Sequence, residues 1–268
     1  MKTCKTNIES RRQKIIDKLK KEHTIKVDEL ASQLRVSELT IRRDLQILED
    51  KNILTRFYGG AKYNENSSER SNENNINESY KHAIAKYAAS QVDDGDTLFI
   101  NTSSTALLML KYIKNKHVTV ITNNAQAVFI NYDPKVTVVL TGGEIRTPKN
   151  SMTGDFSINN LNRVIANKAF LGCSGFDAEN GMTTEILPEV SVNTTMVQRC
   201  KGNLYLLADS SKLGITQQFM VTSASTFHHL ITDKRANEQQ LNEFRNLNIN
   251  VIMLDPLLSY QQNLSNKY

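Results

Sequence analysis

The sequence has no apolar run long enough to cross a membrane. A transmembrane helix needs roughly 20 predominantly apolar residues, and no segment of the 268 residues approaches that length. The first residues, MKTCKTNIESRRQK, also lack the apolar centre of a secretory signal peptide. We therefore expect a cytoplasmic protein that makes no contact with a membrane.

Cysteine is scarce as well. Cys4, Cys173 and Cys200 are odd in number and far apart in the sequence. This usage fits reduced thiols, and it offers neither a disulfide framework nor the clustered spacing of a zinc site. We expect the protein to need no metal and no cofactor.

Positive charge is concentrated in the first quarter of the chain. Residues 1–62 contain 15 Lys or Arg against 9 Asp or Glu, a net charge of +6, whereas the remainder contains 18 against 19, a net charge of −1. This asymmetry predicts a polyanion as the partner of the first segment. A basic surface that is merely solvated would have the same composition.

A polar segment separates the basic part from the rest. Residues 63–80, YNENSSERSNENNINESY, are rich in Asn, Glu and Ser and have almost no aliphatic side chains. Such a segment buries too little apolar surface to offset its ordering entropy, which predicts a linker. Its glutamates make an aggregating Asn-rich tract the weaker interpretation. We divide the chain into a first domain (1–62), a linker (63–80), a second domain (81–255) and a C-terminal tail (256–268).

Apolar residues recur with helical spacing three times in the first domain. The third of these helices can be capped by Ser37 and buries Ile41, Leu45 and Leu48 at i, i+4 and i+7. Two helices joined by a tight turn, the second polar and basic on its outer side, predict a helix-turn-helix. The stretch ILTRFYGGA that follows predicts a β-wing.

A helix of this kind fits the major groove of duplex DNA. Hydroxyl and amide groups near its start can reach base edges, and arginines can neutralise phosphates. A structural three-helix domain with solvated arginines is the alternative. The residues predicted to contact DNA are Ser37, Thr40, Arg42, Arg43, Gln46 and, in the wing, Arg56.

The second domain alternates apolar runs with helical segments. The runs are TLFIN, VTVIT, VTVVLT, AFLGC, LYLLAD and HLIT. Continuous apolar runs are typical of strands that are covered on both faces. Alternating with helices near residues 106–114, 125–130 and 190–200, they predict an α/β domain with a mainly parallel sheet, whose ligand binds beyond the carboxyl ends of the strands.

Polar residues and glycines follow five of these strands. Hydroxyls and free N–H groups meet at the helix start in NTSSTALL, which favours an anion. Neither a GxGxxG nor a GxxxxGK[ST] loop is present, so we predict a small polar ligand that carries a phosphate. Any one of these strand ends could be a turn with satisfied hydrogen bonds, and Asp177 could equally fix its own loop. The candidate ligand residues are Asn101, Ser103, Ser104, Thr105, Thr122, Asn123, Gly142, Gly143, Arg146, Asp177 and Lys212.

Both halves resemble one family. SELTIRRDLQILEDKNILTRFYGGA closely resembles the signature of the DeoR family of bacterial transcription regulators, which centres on Thr-Ile-Arg-Arg-Asp-Leu. VITNN, LTGGE, AFLGCSGFDAENGMTT, ADSSKLG and LITD resemble the effector domain of that family, which is similar to ribose-5-phosphate isomerases and CoA transferases. Tyr58 stands where a His is common, and Asn101 and Ser103 stand where Asp and Gly are usual.

The resemblance implies a winged helix-turn-helix with its recognition helix at residues 40–45. It also implies a DNA operator as partner and a phosphorylated sugar or sugar acid as effector. The phosphate ligands it suggests are Ser103, Ser104, Thr105, Arg146 and Lys212.

We expect a regulator, most commonly a repressor in this family, and not an enzyme. An isomerase-like enzyme is the alternative, with Asp177, Glu144 and Lys212 as its acid and base groups, but fold analogy is its only support. Because one recognition helix reads few bases, we expect a homo-oligomer, a dimer or a tetramer.

Overall fold

The computed structural model describes residues 2–50, 53–64, 67–147 and 149–257. The chain divides into two compact units, Met1–Asn75 and Ile76–Tyr268.

The first unit contains three helices and a three-stranded antiparallel sheet. The sheet has the order β1-β3-β2, and β2 and β3 form the predicted wing as a hairpin. The elements are α1 (Lys2–Glu22), β1 (Thr24–Lys26), α2 (Val27–Leu34), α3 (Glu38–Asp50), β2 (Leu54–Phe57) and β3 (Gly60–Tyr63).

Helical periodicity predicted the core of this unit correctly. Ile41, Leu45 and Leu48 of α3 are buried against Ile15 and Leu19 of α1. The turn between α2 and α3 begins at Arg35, which adopts the left-handed conformation with φ 52°. A residue in this conformation ends a helix sharply, so α3 leaves the turn at an angle to α2. The helix-turn-helix is thereby confirmed.

The structure differs from the linker predicted at residues 63–80. Tyr63 is the last residue of β3, and Ser67–Ser90 form one helix, α4. Ser79 and Tyr80 are buried. The apolar second half of this helix packs into the second unit, so helical hydrogen bonding can extend back through polar residues whose composition alone suggested no structure. Of the predicted C-terminal tail, residues 258–268 lie outside the described residues.

The second unit is built on a seven-stranded, fully parallel sheet, which confirms the predicted α/β class. Its strand order is β15-β14-β12-β9-β4-β5-β6. The strands of the unit are β4 (Thr97–Ile100), β5 (Val118–Thr122), β6 (Val136–Leu140), β7 (Glu144–Arg146), β8 (Ser151–Thr153), β9 (Ala166–Leu171), β10 (Gly175–Asp177), β11 (Gly181–Thr184), β12 (Cys200–Leu207), β13 (Phe219–Thr222), β14 (His229–Asp233) and β15 (Asn250–Leu254).

Helices cover both faces of this sheet. One apolar cluster includes Phe99, Met196 and Phe244, and the other includes Ile84, Leu110 and Phe170. The remaining helices are α5 (Ser104–Leu108), α6 (Asp155–Asn162), α7 (Leu187–Arg199) and α8 (Glu238–Asn246), with 3₁₀ turns at Met109–Lys111, Ala125–Phe129, Ser210–Lys212 and Ala224–Thr226.

All six predicted strands are present, and β15 is a seventh that the sequence did not suggest. The predicted helix at residues 125–130 is a 3₁₀ turn. Two smaller antiparallel structures, the β7–β8 hairpin and the sheet β10-β11-β13, stand beside the parallel sheet. No helix in the described ranges is both long and apolar enough to cross a membrane.

Candidate functional site

Ser37 caps α3 as predicted. Its Oγ accepts a hydrogen bond from the Thr40 N–H at 3.3 Å and lies 2.9 Å from Thr40 Oγ1. Because an N-cap satisfies one of the free donors of the first turn, Ser37 fixes where α3 begins. The cap brings two of the predicted DNA-contacting residues together at the helix start.

The two arginines of this helix differ in their surroundings. Arg42 Nη2 lies 3.2 Å from Glu38 Oε2, and both side chains are more than half exposed. Such a surface pair has little strength. Arg43 is exposed, and no hydrogen bond or ion pair is found for its guanidinium in the part of the chain that the structure describes. Arg43 therefore presents an uncompensated charge to solvent.

Arg56 in the wing is held by α3. Its Nε lies 2.7 Å from Glu49 Oε2, and its N–H donates to Glu49 Oε1 at 2.9 Å. This backbone hydrogen bond and the guanidinium lower the pKa of Glu49. Arg56 thus links the wing to α3, and the carboxylate of Glu49 offsets its charge. Tyr58 is fully exposed at the tip of the wing.

Asp44 is an important residue that the sequence analysis missed. Its carboxylate is buried and accepts from Arg11 Nε at 2.6 Å and from Arg12 Nε at 2.8 Å. These two ion pairs join α1 to α3 and help to fix the orientation of α3 relative to α1. The available signal was a carboxylate three residues after Ile41, on the buried side of an amphipathic helix.

Replacing Asp44 with Ala should destabilise the first unit by about 2 to 3 kcal/mol, because two partly buried guanidiniums lose their counter-charge. Hydrogen–deuterium exchange of peptides from α1 and α3 in the full chain measures this loss. Arg42→Ala is the matched control, since it removes an exposed pair and should cost less than about 0.5 kcal/mol. Equal protection of both variants would contradict a structural role for Asp44.

Asn101 lies at the carboxyl edge of the parallel sheet and uses all the hydrogen-bonding capacity of its side chain within the protein. Its Oδ1 accepts from the N–H groups of Gly172 (3.0 Å) and Ser103 (3.2 Å). Its Nδ2 donates to the Gly172 C=O (2.8 Å) and to Asn193 Oδ1 (3.0 Å). A side-chain amide has no further capacity than this. Asn101 therefore joins the ends of β4 and β9, a role that needs the amide donor which an Asp lacks.

The hydroxyl run after β4 forms the start of α5. Ser103 is its N-cap and accepts from the Ala106 N–H at 3.3 Å. Ser104 is exposed and Thr105 is buried. A Cβ at Gly172 would collide with the Ser103 side chain, so β9 must end in a glycine here. The exposed hydroxyl of this helix start is that of Ser104.

The residues that follow β5 and β6 mainly stabilise the local turns of the chain. Thr122 Oγ1 accepts from the Asn124 N–H at 3.1 Å. Gly142 and Gly143 adopt positive φ of 72° and 106°, and a Cβ at Gly143 would collide with the Thr153 carbonyl. These two glycines make the tight turn into β7. Asn123 differs, because its buried Oδ1 has no partner in the described structure.

Asp177 fixes its own loop. Its Oδ1 accepts from the N–H groups of Glu179 (3.0 Å) and Asn180 (2.7 Å) and from Asn180 Nδ2, and its Oδ2 accepts from Thr216 Oγ1 at 2.6 Å. The structural interpretation of this residue therefore has geometric support. Arg146 is exposed on β7, with Nη2 2.5 Å from Glu144 Oε2.

Cys173 lies just after β9, next to Ser174, whose hydroxyl is within hydrogen-bond distance of Lys149 Nζ. The pKa of the Cys173 thiol is raised to about 12, chiefly by burial and also by Asp209, while Lys212 and Lys149 act to lower it. Lys212 was predicted, and no ion pair is found for it among the described residues. Lys149 was missed, because nothing in a loop between two three-residue strands signals it.

Lys149 also approaches a buried carboxylate. Its Nζ lies 3.3 Å from Ser174 Oγ, 3.5 Å from Glu185 Oε1 and 3.9 Å from Glu189 Oε2. Glu189 accepts from Thr102 Oγ1 at 3.0 Å and from Thr184 Oγ1 at 3.4 Å. This edge thus combines hydroxyls with Lys149, whose charge two carboxylates partly offset, and with Lys212 on the loop after β12. Such a set favours a ligand with an anionic group and hydroxyls.

A further network links this edge to α4. Asp233, fully buried at the end of β14, accepts from the Ser210 N–H at 2.8 Å and from Arg235 Nε at 2.8 Å. Arg235 Nη1 in turn donates to Asn77 Oδ1 at 2.6 Å, and its guanidinium lies 4.2 Å from the centre of the Tyr80 ring. The loop that carries Lys212 is therefore connected to α4 by continuous contacts.

Comparisons with known proteins agree with this two-part organisation. Residues 11–67 match the DeoR-like helix-turn-helix domain, and residues 76–234 match the DeoR C-terminal sensor domain. A ribose 5-phosphate isomerase structure from Methanocaldococcus jannaschii is 19% identical and covers 51% of this chain and 55% of its own, with a TM-score of 0.37. Nothing about activity follows from a likeness of that size.

Curated relatives match nearly end to end. An HTH-type transcriptional regulator from Bacillus subtilis, YulB, is 34% identical over 84% of this chain and 89% of its own length. GolR from Listeria innocua is 32% identical over 90% and 96%. The lactose phosphotransferase system repressor of Streptococcus mutans is 32% identical over 84% and 92%. The chain belongs to the DeoR family of transcription regulators.

Proposed function

We propose that this protein represses genes of carbohydrate metabolism and that a phosphorylated sugar or sugar acid controls its affinity for an operator. The meeting of Lys149, Ser174, Thr102 and Glu189 at the carboxyl edge of the sheet, with Lys212 on the loop after β12, is the observation that carries the proposal. The name of the lactose phosphotransferase system repressor from Streptococcus mutans supports the carbohydrate assignment.

The phosphate would lie near Lys212, whose ammonium is free of ion pairs in the described structure. Ser104, exposed at the start of α5, would add a hydroxyl and neighbouring N–H groups. Charge-assisted hydrogen bonds from cations to phosphate are about twice as strong as neutral ones. Lys149, already shared with Ser174 and Glu189, would face the hydroxyls of the sugar.

A protein that only senses a sugar phosphate needs no catalytic groups at this edge of the sheet. An isomerase of the kind considered above would need a general base, here one of the carboxylates, within hydrogen-bond reach of the substrate. Asp177 is held by its own loop, Glu189 is buried under two threonines, and Glu144 is paired with Arg146 on an exposed strand. These contacts favour binding without turnover over isomerisation.

Pentose or hexose phosphates should therefore stabilise the chain and be returned unchanged. At 100 times the Kd, binding adds about 2.7 kcal/mol to folding, which raises the Tm of a unit of this size by about 5 to 10 °C. A thermal-shift screen, with product analysis by chromatography after long incubation, measures both. If the parent protein isomerises a sugar phosphate and Asp177→Asn does not, the alternative of an isomerase-like enzyme is favoured.

The route from ligand to DNA would pass through α4. A phosphate on Lys212 would pull on the loop of Ser210, which Asp233 ties to Arg235 and thus to Asn77 and Tyr80 of that helix. α4 begins only a few residues after the wing. A homo-oligomer, dimer or tetramer, would place two recognition helices on a symmetric operator.

A further inference from the structure

We infer that the sheet edge formed by β6, together with the segments around it, is the surface through which two copies of this chain associate. This inference rests on the homo-oligomer proposed above. It adds which surface makes the contact, a question that the DNA-binding and effector residues leave open.

The first observation is an unprotected edge strand. β6 is the last strand of the parallel sheet, and no strand in the described part of the chain pairs with its outer side. Natural edge strands are usually blunted by charges, prolines or bulges. Residues 136–140, VTVVL, contain neither a charge nor a proline, and Val139 and Leu140 are 43% and 38% exposed.

The second observation is that large apolar side chains are exposed around this strand. Six of the fifteen such side chains that are exposed in the described ranges belong to this region. They are Val128 (61% exposed), Phe129 (79%), Val139 (43%), Leu140 (38%), Ile145 (61%) and Phe156 (78%).

Hydrogen bonds join the segments that carry these side chains. The Met152 N–H donates to the Asn123 C=O at 2.7 Å, and the Ala125 N–H donates to the Asn150 C=O at 3.0 Å, so the β7–β8 hairpin lies against the 3₁₀ turn of Phe129. Ser157 Oγ, next to Phe156, donates to Thr141 Oγ1 at 2.8 Å. The six residues therefore lie on segments that hydrogen bonds connect, with Val139 and Leu140 pointing to opposite faces of the edge strand. We call this region the β6 surface.

The size of the β6 surface suits a second copy. With about 150 to 200 Å² for each fully exposed side chain, it presents on the order of 600 Å² of apolar area, at the upper end of what monomers expose. A stable interface buries about 800 Å² per partner, and the open strand edge supplies the remainder. Around a two-fold axis, β6 would meet its own copy antiparallel, so each strand would satisfy the N–H and C=O groups of the other.

The β6 surface adjoins the proposed effector edge. Gly142 and Gly143 connect β6 to β7, so a ligand that moves this turn also moves Ile145. Binding could thereby change how two copies are oriented.

Molar mass measured by analytical ultracentrifugation of the full chain tests the inference. The parent, at 30.3 kDa per chain, should be dimeric or tetrameric at micromolar concentration. Ile145→Glu should raise the dissociation constant about 100-fold or more, because it buries an unpaired carboxylate in the contact. Ile165→Glu is the matched control: Ile165 is 59% exposed but lies at the amino end of β9. It should leave the mass unchanged.

Phe129→Asp provides a second reading if Ile145→Glu fails to fold, as judged by circular dichroism. A monomeric parent, or β6-surface variants that associate as strongly as the parent, would overturn the inference. Because the readout is mass, it is independent of whether the protein binds DNA or a sugar phosphate.

Discussion

Arg43→Ala should weaken binding to the operator by about 1 to 3 kcal/mol, or roughly 5- to 150-fold in Kd. The guanidinium is exposed on α3, has no partner in the described structure and lies six residues after the Ser37 cap. Its charge is therefore free for DNA, whereas Arg42 is shared with Glu38 and Arg56 with Glu49. We expect Arg43 to contribute more than either.

Fluorescence anisotropy with an operator selected from random duplexes measures this loss. If Arg43 reads a base, the ratio of operator to non-specific affinity falls; if it holds a phosphate, both affinities fall and the salt slope decreases by about 1. Arg163→Ala is the matched control, since Arg163 is exposed at the end of α6 in the second unit. Unchanged operator protection for an Arg42/Arg43 double alanine variant would contradict the assignment of α3 to DNA.

Lys212→Ala should keep operator affinity but require about 10- to 100-fold more sugar phosphate to change it. Hydrogen bonds between charged groups contribute about 1.5 to 3 kcal/mol, and no ion pair is found for this lysine among the residues that the structure describes. The recognition helix lies in the other unit, so its contacts should be unaffected. Operator titrations at increasing concentrations of the sugar phosphate with the largest thermal shift measure the change.

Two controls sharpen this prediction. Lys201→Ala removes an exposed lysine near the amino end of β12 and should respond like the parent. Arg235→Ala should still bind the sugar phosphate but transmit less of its effect, because it cuts the contact between Asp233 and Asn77. If Lys212→Ala responds at the same ligand concentration as the parent, the phosphate does not lie at Lys212.

Local sequence patterns predicted most of the fold, because apolar runs, helical periodicity and capping residues largely determine which segments form strands and helices. Runs such as VTVIT are mainly apolar and are buried at four of their five residues, as strands covered on both faces are. The α3 stripe follows helical periodicity, and Ser37 caps it. β15 was missed because NVIML is an edge strand with only partly buried residues. α4 was missed because tertiary packing of its second half outweighs the polar composition of its first half.

The sequence predicted where the candidate site lies better than what each residue does. Strand-end position predicted that Asn101, Asp177 and Lys212 follow strands, as they do, yet it could not reveal that the side chains of Asn101 and Asp177 form their hydrogen bonds inside the protein. Lys149 and Glu189 reach this edge from a hairpin loop and from α7. Their proximity depends on contacts between segments distant in sequence, which no local pattern encodes.

Reciprocal binding tests the central claim of a ligand-controlled operator affinity most directly. A ligand shifts DNA affinity only if it binds the DNA-competent and DNA-incompetent arrangements differently, and the two effects must be equal. We predict that the sugar phosphate weakens operator binding by about 5- to 150-fold, as typical couplings do. Isothermal titration of the same ligand into the protein–operator complex should show its Kd raised by that same factor. A ligand Kd that is identical with and without operator would contradict the account.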